Sequence, residues 1–337
     1  MRIWKILLTI IVLLCCSQIT LQAQERAKPK DGDGITTFLQ RYHCNTPKLR
    51  KEFIRLNKNK FTKDGGLILG KTYLLPEGAS RSSNDRTSSN KKKSSTVNEP
   101  LLGSRYENVR ITSRKLEGAC FYLVSGHGGP DPGAISKVGK RELHEDEYAY
   151  DIILRLGRCL LSHGAKVHFI IQDAKDGIRN DRYLDNSKRE TCMGDPIPLD
   201  QVARLQQRCR KINNLTYKDK SRYKRAIFIH VDSRGRSDQV DVFFYHHEGS
   251  KYGRRLAENI HQTFEHKYDK HQPNRGFSGT VSARNLYVLK NSNPPGVFLE
   301  LGNLQNEKDR KRLILESNRQ ALAEWICQGI IKDFKKQ

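Results

Sequence analysis

Two histidines and a glutamate stand out by where they fall. His127 lies in Ser125–Ala134, where four glycines and two prolines follow the apolar run Phe121–Val124. His230 ends the apolar run that begins at Ala226, and Glu300 sits inside Val297-Phe-Leu-Glu-Leu301. A glycine-dense turn can bring backbone close to another group and hold a side chain in a fixed direction. A carboxylate inside a buried strand needs a charge partner or a hydrogen bond, because burying it alone is costly. Two imidazoles and carboxylates converging at strand ends make the donor set of a zinc site. Each residue alone has a plainer reading: a loop histidine, a satisfied core histidine, a glutamate paired with arginine. Their joint placement on core strands favours the metal.

The elements that must position them follow from periodicity. Strands are expected at Asn108–Ile111, Phe121–Val124, Val167–Ile171, Ala226–Val231, Val240–Tyr245, Leu286–Leu289 and Gly296–Leu301. Helices are expected at Leu143–Ser162, with Tyr148, Ile152, Leu156 and Leu160 on one stripe, and at Asp200–Leu215, Lys251–Tyr268 and Arg310–Phe334. Strand–loop–helix–strand succession predicts an α/β domain with a twisted, mostly parallel sheet flanked by helices. Ligands of such sheets collect beyond the carboxyl ends of the strands. Asp173–Leu199 is polar and turn-rich and reads as a surface insertion.

Composition bounds the rest. The 337 residues carry a formal net charge of +24, which favours polyanionic partners such as nucleic acid, anionic lipid or an anionic wall polymer. Arg2 and Lys5 precede the apolar run Ile6–Cys16, and Ala23 precedes Gln24. That is a secretory signal peptide over residues 1–23, too short to span a membrane. Lipid attachment at Cys15 or Cys16 is the weaker alternative, because neither follows Gly, Ala or Ser. Export to a periplasmic or wall-associated location argues against nucleic acid, and the basic residues are not interleaved with stacking aromatics. Cys120, Cys159 and Cys327 fall in apolar periodic segments and read as small buried hydrophobes, whereas Cys192 and Cys209 admit a disulfide. Residues 79–98 are rich in Ser, Asn, Lys and Arg and read as a disordered linker between a module at 30–76 and a large domain at 101–337.

The 30–76 segment resembles the LysM carbohydrate-binding module. The resemblance rests on Gly-Asp-Gly-Ile at 32–35, on Leu56-Asn57, and on the closing Leu-x-x-Gly-x-x-Tyr-x-Leu-Pro ending at Pro76. It implies a small βααβ module that binds glycans containing N-acetylglucosamine. The strand that should precede Gly32 is poor at Ala27–Lys30.

Residues 118–334 resemble the zinc-dependent N-acetylmuramoyl-L-alanine amidases of bacterial cell-wall hydrolases. The shared pieces run in order. They are the Gly-His-Gly-Gly-x-Asp-Pro-Gly-Ala loop at 126–134, and a helix whose first turn carries a glutamate, matched by Glu145 with Ile152, Leu154, Arg155 and Leu156. Leu205, Arg208 and Asn213 follow, then Phe228-Ile-His230-Val-Asp232, Val240-Asp-Val242, Ser250 through Ile260, and Phe298-Leu-Glu300-Leu-Gly-Asn-Leu-Gln-Asn306. The resemblance implies His127, Glu145 and His230 as ligands of Zn2+ and Glu300 as the catalytic carboxylate. Glu142 and Glu147 remain alternatives to Glu145. It implies hydrolysis of the bond between N-acetylmuramic acid and L-alanine in peptidoglycan. Another zinc hydrolase of the wall, peptidase or deacetylase, or a non-catalytic wall-binding protein are the rivals. No motif identifies an activator protein.

Overall fold

The computed structural model describes residues 25–29, 33–42, 44–62, 65–77, 96–232 and 241–337. The expected signal peptide, residues 79–95 of the expected linker and Val240 at the start of an expected strand lie outside the described residues. The chain divides into two compact units, residues 1–92 and 93–337.

The first unit runs β1 (Arg26–Ala27), α1 (Ile35–Arg41), α2 (Pro47–Leu56) and β2 (Tyr73–Leu74), with β1 antiparallel to β2. Its front edge is earlier than residue 30: Leu75 N–H donates to the Glu25 carbonyl at 2.8 Å. The weak strand propensity of this segment is overridden by the hydrogen bonds its partner supplies. Phe38, Phe53 and Tyr73 are fully buried and their rings pack 5.6–6.0 Å apart. Asn57 holds the second helix to β2 by two bonds, Nδ2 to Leu74 O at 2.8 Å and Leu74 N–H to Oδ1 at 2.9 Å.

The second unit is built on a six-stranded sheet. Its strands are β5 (Ala119–Ser125), β8 (Lys166–Phe169), β12 (Tyr223–Asp232), β13 (Phe243–His246), β14 (Thr280–Ala283) and β15 (Gly296–Asn303). Their order is β14-β13-β15-β12-β5-β8, parallel at every pairing except β13 with β15. Every residue of β5 is buried, as an unbroken apolar run requires of a central parallel strand. One face, with Phe121, Leu123, Ile227, Ile229, Val297 and Leu299, packs on helices α3 (Glu145–Ser162), α5 (Lys251–His271) and α8 (Glu316–Phe334). The other, with Tyr122, Val124, Phe228 and Phe298, packs on α4 (Gln201–Lys218) and α6 (Tyr287–Asn291). The chain leaves β5 through α3 on one face and returns from β8 to β12 through α4 on the other. The strand order therefore reverses at β5, which opens a crevice at the carboxyl ends of β5 and β12.

Several expectations need correction. Tyr287–Asn291 is a helix, not a strand: a run of four apolar residues fits either, and here Val288 and Leu289 cover the second face as one side of a helical turn. The expected strand at 108–111 is observed as β4 (Asn108–Arg110) but among the described residues pairs only with β3 (Thr96–Asn98), so three residues assigned to the linker form a strand outside the main sheet; β9 (Ile171–Gln172), β10 (Thr191–Cys192) and β11 (Asp195–Pro196) form a further separate sheet. A hairpin, β6 (Ile135–Val138) with β7 (Arg141–His144), precedes α3 and was not expected. The closing helix is two, α7 (Glu307–Ile314) and α8, broken at an extended Leu315.

The 173–199 segment is not confined to the surface. Asp173, Leu184, Glu190 and Cys192 are buried, and arginines from the helices donate to backbone carbonyls of the segment. Arg319, fully buried, donates to the carbonyls of Arg179 and Asp181 at 2.9 Å, to Leu313 O at 2.8 Å, and to Asp151 Oδ2 at 2.6 Å. Arg155 donates to the same Asp151 oxygen and to Arg179 O, each at 2.8 Å. The bond to Leu313 O also satisfies a carbonyl at the helix break. Cys192 and Cys209 are free thiols, both buried, so the admitted disulfide is absent.

Removing the Arg319 guanidinium strands buried carboxylate and carbonyl oxygens together. Arg319→Leu is expected to cost about 3–5 kcal/mol of unfolding free energy in denaturant titration. A loss below about 1 kcal/mol would mean that Arg155 alone satisfies the network.

Candidate active site

The loop after β5 is stitched to the neighbouring strand before it turns: Gly126 N–H donates to Ile229 O at 2.7 Å. A Cβ at Gly126 would lie 2.4 Å from the His230 ring, so only glycine lets the loop pass that imidazole. At Gly133, with φ +67, a Cβ would lie 2.7 Å from both His127 Cδ2 and Glu145 Oε2. The two glycines leave the room that three side chains occupy. His127 itself has φ +57, a left-handed conformation that costs a non-glycine residue about 1–3 kcal/mol. Surrounding bonds hold it there. Gly128 N–H donates to Asp131 O at 2.7 Å, and the Arg208 guanidinium donates to the His127 carbonyl.

Asp131 fixes the imidazole. Its Oδ2 meets His127 Nδ1 at 2.8 Å and Arg204 Nη2 at 2.7 Å, and its Oδ1 accepts from Gly133 N–H at 3.2 Å. With Nδ1 engaged, Nε2 is turned inward, 3.4 Å from Glu145 Oε1. Glu145 begins α3 and is 4% exposed. Its Oε2 accepts from Ala134 N–H at 2.9 Å, and its Oε1 from Val231 N–H at 3.0 Å. The same Oε1 lies 3.0 Å from His230 Nδ1. The His127 and His230 rings meet edge to face with centroids 5.0 Å apart, and His230 stacks on Phe298 at 4.3 Å.

The electrostatics follow from these contacts. Burial alone would raise the Glu145 carboxyl, but hydrogen bonds to His127 and His230 hold it well below the usual carboxylate range. Burial works against charge on His127, yet the bonds to Asp131 and Glu145 outweigh it and lift the imidazole to about 10. His230, buried and next to His127, is pushed down despite its bond to Glu145. Asp131 is lowered to about 2, chiefly by its bond to His127. The local field thus favours positive charge between the two rings.

The residues singled out from the sequence separate clearly. His127, Glu145 and His230 offer donor atoms that all lie within 4.8 Å of one another. Glu300 is not in that group. It pairs in register with His230 across β12 and β15, partly buried, so both project from the same face of the sheet. Of the alternative glutamates, Glu142 lies on β7 and pairs with Lys137 at 3.0 Å. Glu147 is buried but turned to Arg179, at 2.9 Å, and to Ser187 N–H. Asn213 faces Asn291 O and Asn293 N–H, away from the group.

Sequence reasoning gave no role to Asp131, Arg204 or Glu190. Asp131 follows His127 by four residues inside the loop motif, which was the available signal. Glu190 had none: it comes from the 173–199 segment, and its Oε2 accepts from Gly129 N–H at 2.8 Å.

This group suits a divalent cation. It combines two imidazole nitrogens with a carboxylate oxygen, and a carboxylate behind one imidazole fixes the nitrogen presented, as partners of metal-ligating histidines do.

Residues 122–332 match the N-acetylmuramoyl-L-alanine amidase family. The germination-specific N-acetylmuramoyl-L-alanine amidase of Bacillus subtilis (strain 168) is 24% identical over 238 residues, covering 69% of this chain and 87% of that protein. The probable cell wall amidase LytH of Staphylococcus aureus is 26% identical over 219 residues, covering 64% of this chain and 58% of that protein. The chain therefore spans little more than half of that relative's length. Among solved structures, the CwlD amidase from Clostridioides difficile in complex with the GerS lipoprotein aligns at 22% identity and TM-score 0.48, over 65% of this chain and 99% of that one.

In protein stripped of bound metal, a folded-state pKa of about 10 for His127 exceeds the unfolded value near ~6.5. The stabilisation it brings is fully present below pH ~6.5 and is lost as pH rises through about 10. In Asp131→Asn the His127 titration, followed by NMR in chelator-treated protein, is expected to move down toward the ordinary range. An unshifted titration would remove Asp131 as the group that holds the imidazole.

Proposed function

We propose that this chain, which belongs to the N-acetylmuramoyl-L-alanine amidase family, is a zinc-dependent peptidoglycan amidase that cuts the bond joining the lactyl carbonyl of N-acetylmuramic acid to the nitrogen of L-alanine. The observation that carries the reading is the convergence of His127, Glu145 and His230 at the carboxyl ends of β5 and β12, within the segment that matches the family. These three residues would hold the ion.

When bound there, zinc polarises the amide carbonyl and makes water a competent nucleophile near neutral pH. The chain's own groups do the rest. Asp131 keeps His127 in the tautomer that presents Nε2. Glu145 stays ionised because two backbone amides and two imidazoles meet its oxygens. Glu300, register-paired with His230, would take a proton from the attacking water and deliver it to the departing nitrogen. Water's oxygen bonds to the lactyl carbonyl carbon, the C–N bond breaks, and a carboxylate and a free L-alanine amine remain. Phe298 packs flat on His230 and keeps that ring from rotating away.

The first unit is proposed as a LysM-like glycan binder. Its strand–helix–helix–strand order and the pinning of β2 by Asn57 support this. Tethering a weak binder to the catalytic unit raises local substrate concentration without new contacts at the site. Export by the N-terminal signal, to a periplasmic or wall-associated location, is part of the same reading. No helix among the described residues is long and apolar enough to cross a membrane. The net charge of +24 suits the carboxylates of peptide stems.

Chelation is expected to abolish release of peptides with free L-alanine amino ends from purified peptidoglycan, and zinc to restore it. Glu300→Gln is expected to keep the metal and lose turnover by roughly 10²-fold or more, whereas His230→Ala is expected to lose both. Products ending elsewhere in the stem would replace the amidase with a peptidase.

Deleting the first unit is expected to weaken pelleting with insoluble peptidoglycan while leaving hydrolysis of soluble muropeptides unchanged. Equal pelleting would remove the glycan-binding role.

A further inference from the structure

A second group of metal-ligating side chains lies at the far end of the helix that Glu145 begins. Cys159 is on the last turn of α3, His163 is the residue that caps it, and Cys327 comes from α8. Their donor atoms all lie within 4.8 Å of one another. Fourteen residues separate Glu145 from Cys159, about 21 Å along a helix axis, so this group is distinct from the one at the strand ends.

The arrangement is built from two independent local facts. Cys159 and His163 are four residues apart and therefore share one face at the end of α3. The imidazole is also oriented: Nδ1 is engaged by Ser113 Oγ at 2.7 Å, which leaves Nε2 open to a ligand. Cys327 is fully buried and Cys159 partly so. Cys159 is hydrogen-bonded to both Cys327 and His163, so the three side chains already face one another. The Glu324 carboxylate, one turn before Cys327 on α8, acts on both thiols.

We propose that Cys159, His163 and Cys327 form a second cation site, for zinc or a similarly thiophilic ion, that clamps α8 to the end of α3. Two thiolates and an imidazole are the ligands that select such ions over magnesium or calcium. A water or the Glu324 carboxylate completes a fourfold set. The ion is structural: it joins the C-terminal helix to the helix whose first residue is Glu145. The proposal does not depend on the amidase reading.

The other clusters do not support the same reading. Around Cys120, His168 and Asp219, the carboxylate is already held by Lys166 at 2.6 Å and by Ser221 N–H at 2.7 Å, and burial pushes the Cys120 thiol up to about 11. In the buried trio Asp146, Glu147 and Glu190, the two glutamates are taken up by Arg179, Ser187 and Gly129.

The test is cobalt(II) substitution of the full chain, read by absorption. Only thiolate ligands give the near-ultraviolet sulfur-to-cobalt band, so imidazoles and carboxylates at the strand ends are silent. The expected result is such a band in the unmutated chain, absent in Cys159→Ser and Cys327→Ser, with one zinc per chain fewer in each by elemental analysis. Ser113→Ala, which removes only the partner behind His163, is expected to weaken cobalt binding at this site by roughly tenfold. The proposal is overturned if the unmutated chain shows no band and both thiols react freely with a thiol reagent. It is equally overturned if they react only after reduction, which would make the pair a disulfide.

Discussion

The catalytic unit depends on one carboxylate. Glu145 has both oxygens committed, one to the loop after β5 through Ala134 N–H, the other to β12 through Val231 N–H and His230. It faces His127 as well. The loop after β5, the start of α3 and Val231 on β12, the last more than eighty positions further along the chain, are thereby joined at one buried charged group. Such a group is tolerated because donors meet both of its oxygens. The left-handed turn at His127, the two glycines that leave space, and the arginines behind Asp131 all serve to keep those donors in place.

Legibility of this arrangement in the sequence was uneven, for physical reasons. His230 and Glu300 were visible because each ends or interrupts an apolar run, where polarity needs a cause, and His127 because it stands in a glycine-dense turn directly after one. Five of the six strands of the sheet were visible for the converse reason: an unbroken apolar run such as Phe121–Val124 has few alternatives to a buried strand, whereas the edge strand Thr280–Ala283 carries no such run and was not expected. Glu145 was not separable from Glu142 and Glu147 by pattern alone. Glu145 and Glu147 both fall in the first turn of α3, where its dipole favours either, and Glu142 lies just before it on β7; only the direction each side chain takes tells them apart.

What stayed hidden was tertiary. Nothing local marks Glu190 as the residue that meets the amide of Gly129, because the 173–199 segment looks like ordinary solvated loop. Its burial follows from Arg155 and Arg319, more than a hundred residues apart, converging on Asp151 and on the loop's own carbonyls. The break at Leu315 was hidden for the same reason: the Arg319 guanidinium satisfies Leu313 O, so the helix loses little by stopping. Tyr287–Asn291 shows the limit of short apolar runs, whose period cannot be read over one turn.

The position of β15 has a consequence for how the molecule comes into being. This strand is the last of the six in sequence, yet it lies between β12 and β13, and without it β13 and β14 have nothing to join. A chain still being synthesised can close β5, β8 and β12 on one another but cannot place Glu300 until residue 303 has emerged. Parallel pairings across such separations form slowly. Closure of this sheet is therefore late, and no nascent fragment lacking β15 brings His230 and Glu300 side by side.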